Sequence, residues 1–165
     1  RFGEAAALDL PDVDLKTRLI HVSKTYDAAH DIVTSTKTAT STRDVYMQNQ
    51  LYQLCRRLKA ERLSGNIVLP MSVVFFPGSK RERIEFYCYA KYLRENSERI
   101  IGRRITPHTL RHTHASLLME QGVDIDTISR RLGHANSRVT REIYLHVTEK
   151  LKEKENERIR DIKLI

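Results

Sequence analysis

Between residues 106 and 133 the chain carries start and stop signals in close order, and these fix what the stretch can form. Thr106 is a capping residue type, and Pro107 suits the first helical position, where a missing N–H costs nothing. Gly122 offers the left-handed conformation that ends a helix. Asp124 or Asp126 then caps a short second helix that Gly133 closes. A pair of helices is predicted, with His108, Arg111, His112 and His114 on the first. His108 and Arg111 are three residues apart, so they share a face, and both lie in the first turn. Unpaired backbone N–H groups and the helix dipole favour an anion such as phosphate there. Arginine adds a planar fork for two phosphate oxygens. Taken alone, the pair also fits a packed or capping histidine beside a solvated arginine.

The remaining patterning is mixed. Residues 4–10 are Ala-rich and helix-prone, and Pro11 stops them. Leu19 to Val22 and Ile32 to Thr34 are short β-branched runs, each followed by polar turn residues. The polar stretch 35–43 predicts a flexible hairpin tip carrying Lys37. Leu51, Leu54, Cys55 and Leu58 give helical spacing over 48–63, ended at 64–66. Residues 67–76 form an apolar run, broken by Pro70 and closed by Pro77-Gly78, that predicts a buried extended segment. A helix is predicted over 81–101, with Ile84, Tyr87, Cys88, Lys91 and Tyr92 on its amphipathic face. Gly102 punctuates it. A last helix is predicted from Arg138 to Val147, followed by a charge-dense stretch over 148–165. The elements sum to an α+β, mostly helical chain.

At 165 residues a single domain over 1–165 is expected. Lys and Arg number 29 against 21 Asp and Glu, and the excess of 8 points to a polyanionic partner, nucleic acid first. No run approaches the ~20 apolar residues of a membrane span. Cys55 and Cys88 are too few for a disulfide scaffold and read as reduced thiols of a cytosolic protein. His108 and His112 are four apart, a zinc-like spacing. However, Thr109 stands where a metalloprotease needs Glu, and Arg111 would repel the ion. No metal site is therefore expected.

A second cluster is Leu132-Gly133-His134, followed ten residues after the histidine by Tyr144. Gly133 permits a tight exit that projects His134 from a helix end. On its own, Tyr144 reads as a core tyrosine. In chain order, however, the pieces are Arg1-Phe2-Gly3-Glu4, Lys37-Thr38, His108-Thr109-Leu110-Arg111-His112-Thr113-His114-Ala115-Ser116, Leu132-Gly133-His134, and Tyr144-Leu145-His146-Val147. Together they resemble the tyrosine recombinase, or phage integrase, family over residues 1–147. The fold this implies is that family's catalytic domain, a small antiparallel β-sheet or hairpin packed on a helical bundle.

The resemblance also implies roles. Arg1 and Arg111 would grip the non-bridging oxygens of a scissile phosphate. Tyr144 would be the nucleophile, giving a 3′-phosphotyrosyl link. Lys37 would be the general acid for the departing 5′ oxygen, and His108 would manage the tyrosine proton. His134 would donate to the phosphate or support its pocket, and Glu4 would orient its neighbours. His114 and His146 receive no role. No cofactor and no metal are implied.

The implied partners are double-stranded DNA at a recombination site, a homotetramer on synapsed DNA, and directionality or bending factors, in a bacterial cytoplasm at the nucleoid. Stretch 148–165 would dock on a neighbouring protomer or on its own domain. The family ordinarily has helices and a core-binding domain before its first arginine box. A truncated catalytic domain, weakly active or inactive alone, is therefore expected. The ten-residue step to Tyr144 is longer by one than in some members, which suggests a different nucleophile segment. A helix-turn-helix regulator over 107–132 is a rival reading, with Leu118 where a small residue is usual and Arg131 where an apolar one is. A type IB topoisomerase, sharing the chemistry, is another.

Overall fold

The structure, a computed structural model, describes residues 1–36, 41–64, 73–79 and 81–133, with 156, 159 and 160. Contacts divide the chain into two units, Arg1–Pro107 and His108–Ile165.

The first unit opens with helix α1 (Phe2–Ala6) and a 3-10 turn at Leu10–Asp12. Strands β1 (Val13–Asp14), β2 (Leu19–Val22) and β5 (Arg43–Tyr46) form an antiparallel sheet in the order β1-β2-β5. Between β2 and β5 comes a second antiparallel pair, β3 (Lys24–Asp27) with β4 (Ile32–Ser35).

The register shows a hairpin turn that the sequence does not announce, while the tip expected over 35–43 with Lys37 falls largely on residues outside the described ones. Val22 pairs with Arg43, Lys24 pairs with Ser35, and the Thr36 N–H donates to the Ser23 carbonyl at 3.2 Å. Residues 19–27 therefore run as one strand broken only at Ser23, and the polar residues after Val22 continue it. The turn is at 28–31, where Asp31 takes a φ of 56°. There the Asp27 carboxylate accepts the Ala29 N–H at 2.9 Å, and the Tyr26 hydroxyl donates to Asp31 at 2.5 Å. Ala28-Ala29 advertises no turn in the sequence. The Thr36 and Thr42 hydroxyls lie 3.0 Å apart, on either side of residues 37–40, which are outside the described ones.

Helix α1 ends earlier than residue 10 because the backbone beyond it pairs elsewhere. The Leu10 N–H donates to the Val73 carbonyl at 2.6 Å, and the Phe75 N–H donates to that of Leu8 at 2.9 Å. Val74 and Phe75 are buried, as expected of this extended segment; residues 67–72 lie outside the described ones. Helix α2 (Asn49–Leu63) buries Cys55 and packs Leu51 and Leu58 against a core of Leu8, Val13, Met47 and Phe75. Each such side chain contributes about 1.5–3 kcal/mol on full burial. Leu54, expected inward, is 42% exposed.

Helix α3 (Phe86–Ile101) starts five residues later than expected. The Gly78 N–H donates to Glu82 and the Ile84 N–H to Phe76, both at 3.2 Å, so 82–84 fold back on 76–78. Its predicted inner face is also corrected. Tyr87 is 71% and Tyr92 66% exposed, and Cys88 is exposed. Phe86 and Tyr89 instead meet the Phe2 ring, at centroid distances of 5.1 and 5.4 Å. Gly102 ends the helix with φ 69°.

The second unit is built on α4 (Pro107–Glu120) and α5 (Ile125–Leu132). Ala115 and Met119 pack on Ile128 and Leu132, with Leu118 and Val123 beside them. The Asp124 carboxylate caps α5, accepting the N–H groups of Asp126 and Thr127 at 3.0 and 2.9 Å. These boundaries are the ones the punctuation predicts. The helix expected over 138–147 lies outside the described residues. Among the described residues no helix is long and apolar enough to cross a membrane. The fold is α+β with small antiparallel sheets, as expected.

Candidate active site

In the first unit the expected site residues Arg1 and Glu4 stand together, one turn of α1 apart. Arg1 Nη1 donates to Glu4 Oε1 at 2.9 Å. The other carboxylate oxygen, Oε2, accepts Arg43 Nη2 at 2.8 Å. Glu4 is only 4% exposed, which a carboxylate tolerates when both oxygens are paired. Burial pushes its pKa up, but the Arg43 hydrogen bond and the surrounding positive charge overcome this and lower it to about 2. Glu4 is thus a fixed anion that orients guanidinium groups.

Small residues make this approach possible. A Cβ on Gly3 would stand 2.6 Å from Thr25 Oγ1 and 3.1 Å from the Tyr26 carbonyl. Ala6 and Ala7 are fully buried against Tyr26. The Arg83 guanidinium fastens the end of α1, donating to the Ala6 carbonyl at 3.0 Å and the Asp9 carboxylate at 2.8 Å. Lys24 pairs with Asp9 and with Asp12. Lys37 lies outside the described residues, between Thr36 and Ser41.

In the second unit His108 is exposed on the first turn of α4, and Arg111, one turn on, is half-buried. Arg111 Nη2 donates to the Leu132 carbonyl at 2.5 Å. A cation on the last carbonyl of α5 complements the negative end of that helix. Gly133 follows with φ 64° and ψ 44°, the left-handed exit foreseen for it. The next residue, His134, lies outside the described residues, as do Tyr144 and His146.

One residue without an expected role acquires a contact here. His114 Nε2 accepts Arg131 Nε at 3.1 Å, so it is an acceptor on a cation. Burial first, then the charges of Arg131 and Arg111, lowers its pKa and keeps the ring neutral. Helices α4 and α5 are therefore tied twice, through Arg111 and through His114. Neither Arg43 nor Arg131 carries a sequence signal of its own. Arg43 finds Glu4 across 39 positions, a separation no local pattern reveals.

The sequence profile of the phage integrase family matches residues 1–150. The chain belongs to that family, the tyrosine recombinases. It is 31% identical over 160 residues to the integrase of Staphylococcus phage L54a, covering 92% of this chain and 45% of that protein. It is 31% identical over 158 residues to the ICEBs1 integrase of Bacillus subtilis (strain 168), covering 89% and 41%. The chain thus spans less than half the length of these relatives. Among solved structures, the Tn1549 transposon integrase in complex with circular intermediate DNA gives a TM-score of 0.74 at 22% identity, covering 96% of this chain and 55% of that one. XerA recombinase gives 0.72 at 25% identity, covering 94% and 53%. The fold is that of tyrosine recombinase catalytic domains, and a helix-turn-helix reading of 107–132 leaves the matched strands and α1–α3 without a place.

Proposed function

We propose that the chain is the catalytic domain of a site-specific DNA recombinase of a phage or other mobile element. It would cleave and rejoin DNA through a 3′-phosphotyrosyl intermediate. The observation that carries the reading is Arg111, seated on the carbonyl of Leu132 immediately before Gly133-His134, inside a family match over residues 1–150.

Arg1 and Arg111 hold the two non-bridging oxygens of the phosphate. Guanidinium groups stay charged at any working pH, and when held in place they stabilise the transition state without reorganising. The Tyr144 oxygen attacks phosphorus, and the P–O5′ bond breaks. His108 takes the phenolic proton, and the Lys37 ammonium gives one to the departing 5′ oxygen. His134 donates to the phosphate, and Glu4 orients Arg1. A free phenol has a pKa near 10, so the cationic pocket is what makes it a competent nucleophile. The phosphotyrosyl ester keeps the energy of the bond it replaced, and a 5′-hydroxyl reverses the step without ATP. These steps draw on the side chains alone.

Duplex DNA is the partner, in keeping with the DNA-bound Tn1549 relative and the basic composition. The working assembly would be four protomers on two sites at the bacterial nucleoid, with stretch 148–165 docking on a neighbour. The test incubates the full-length protein carrying this chain with a nicked suicide duplex of its recombination site, in the presence of EDTA. The reading expects a covalent adduct that survives denaturation. Binding with no adduct would contradict it in favour of a regulator. Relaxation of site-free supercoiled plasmid by the monomer would contradict it in favour of a type IB topoisomerase.

A further inference from the structure

We propose that Arg43 is a positioning residue for strand transfer: it takes one oxygen of the Glu4 carboxylate from the buried side and so keeps Arg1 oriented toward the phosphate and offsets the negative charge of Glu4 beside it. The inference rests on the reading of Arg1 as a phosphate ligand.

The geometry is asymmetric. The Arg43 side chain is 11% exposed, whereas that of Arg1 is 46% exposed. One guanidinium therefore faces outward and the other lies beneath it, with the carboxylate shared between them. Two positive groups against one negative leave this trio with a net positive charge. Without Arg43, the Arg1 guanidinium and the Glu4 carboxylate would form a neutral pair, and the pull of that guanidinium on a phosphate would weaken. Among the described residues, the other cations near α1 are held elsewhere, Lys24 by Asp9 and Asp12 and Arg83 by Asp9, while the amino group of Arg1 itself donates to Glu4 Oε2 at 3.1 Å beside Arg43.

Arg43 also fixes a position. Its Nη1 donates to the Ser41 carbonyl at 2.9 Å, and its own backbone opens β5 opposite Val22. It therefore joins three things: the strand, the Ser41 carbonyl, and the carboxylate under Arg1. Lysine in its place would keep the charge but has no fork to reach the Ser41 carbonyl and Glu4 Oε2 at once.

The experiment measures single-turnover cleavage of the suicide duplex by the full-length protein and its variants over a range of pH. Arg43→Met is expected to slow cleavage ~10- to 100-fold, the usual size for a misplaced catalytic group, with DNA affinity little changed. It should also add an ionisation absent from the wild type, because buried Glu4 short of one cation titrates in mild acid. Adding Glu4→Gln to Arg43→Met should remove that ionisation and recover part of the rate. Arg43→Lys should fall between. Wild-type cleavage by Arg43→Met, or a loss that is the same at every pH and unmoved by Glu4→Gln, would overturn the proposal. If Arg1→Ala itself cleaves normally, the phosphate reading of Arg1 fails first, and the two failures are told apart.

Discussion

Glu4 is buried as an anion, and its two oxygens are held by Arg1 and Arg43, so its charge is part of the folded state. Its pKa is lowered from 4.5 to about 2, which means the unfolded chain binds the proton more readily. The stability it contributes is complete above the ordinary value and is lost as pH falls through the window from 4.5 toward 2. The loss should be on the order of 3 kcal/mol. Denaturant titrations across that window should show this slope in the wild type and lack it in Glu4→Gln; equal slopes would contradict the pairing. Lys37 calls for a chemical test. Lys37→Ala should slow cleavage sharply, and a 5′-phosphorothiolate leaving group, which needs less protonation, should restore most of the rate. A substrate that fails to restore it removes Lys37 from the acid role. Arg1, Glu4, His108 and Arg111 could be read from the sequence because each sits in a short motif. Arg43 and His114 could not, since their value comes from partners 39 and 17 positions away.

Helix α1 lies on β3 only because residue 3 has no side chain. Gly3→Ala would set a methyl 2.6 Å from Thr25 Oγ1, and the shift should cost about 1–3 kcal/mol. Thermal melts should record the loss, and Thr25→Ala should relieve part of it, leaving the 3.1 Å contact with the Tyr26 carbonyl. An unchanged melting temperature would contradict the packing. Helices α4 and α5 depend on His114 staying neutral. With its pKa lowered, stability from this group is complete above its ordinary value of 6.5 and declines as pH falls below it. His114→Gln, which keeps an acceptor for Arg131 but does not titrate, should remove that decline, and its persistence would exclude His114 as the cause. These helices were legible because Pro107, Gly122, Asp124 and Gly133 punctuate them. Strand β3 and the turn at 28–31 were not, since Lys24 to Asp27 has no apolar alternation and Ala28-Ala29 no turn signature. Helix α3 misled for a different reason: its aromatic stripe is exposed, while packing is carried by Phe86 and Tyr89 on Phe2.

On the scale of the whole molecule, the residues assigned to one reaction come from stretches spread over both units, from Arg1 to Tyr144. No periodicity or spacing brings such stretches together, and their order along the chain was readable only as a family resemblance, which the match over residues 1–150 bears out. On the proposed reading the order assigns a division of labour, in which arginines hold charge, a lysine and a histidine move protons, and one phenol makes the bond. That last assignment is the centre of the account. The most direct measurement digests the denatured protein–DNA adduct with trypsin and nuclease and locates the attached nucleotide by mass spectrometry. The account predicts it on the peptide of residues 142–150, at Tyr144, and no adduct at all from Tyr144→Phe. A nucleotide attached to any other residue, or an adduct that persists in that variant, would contradict it.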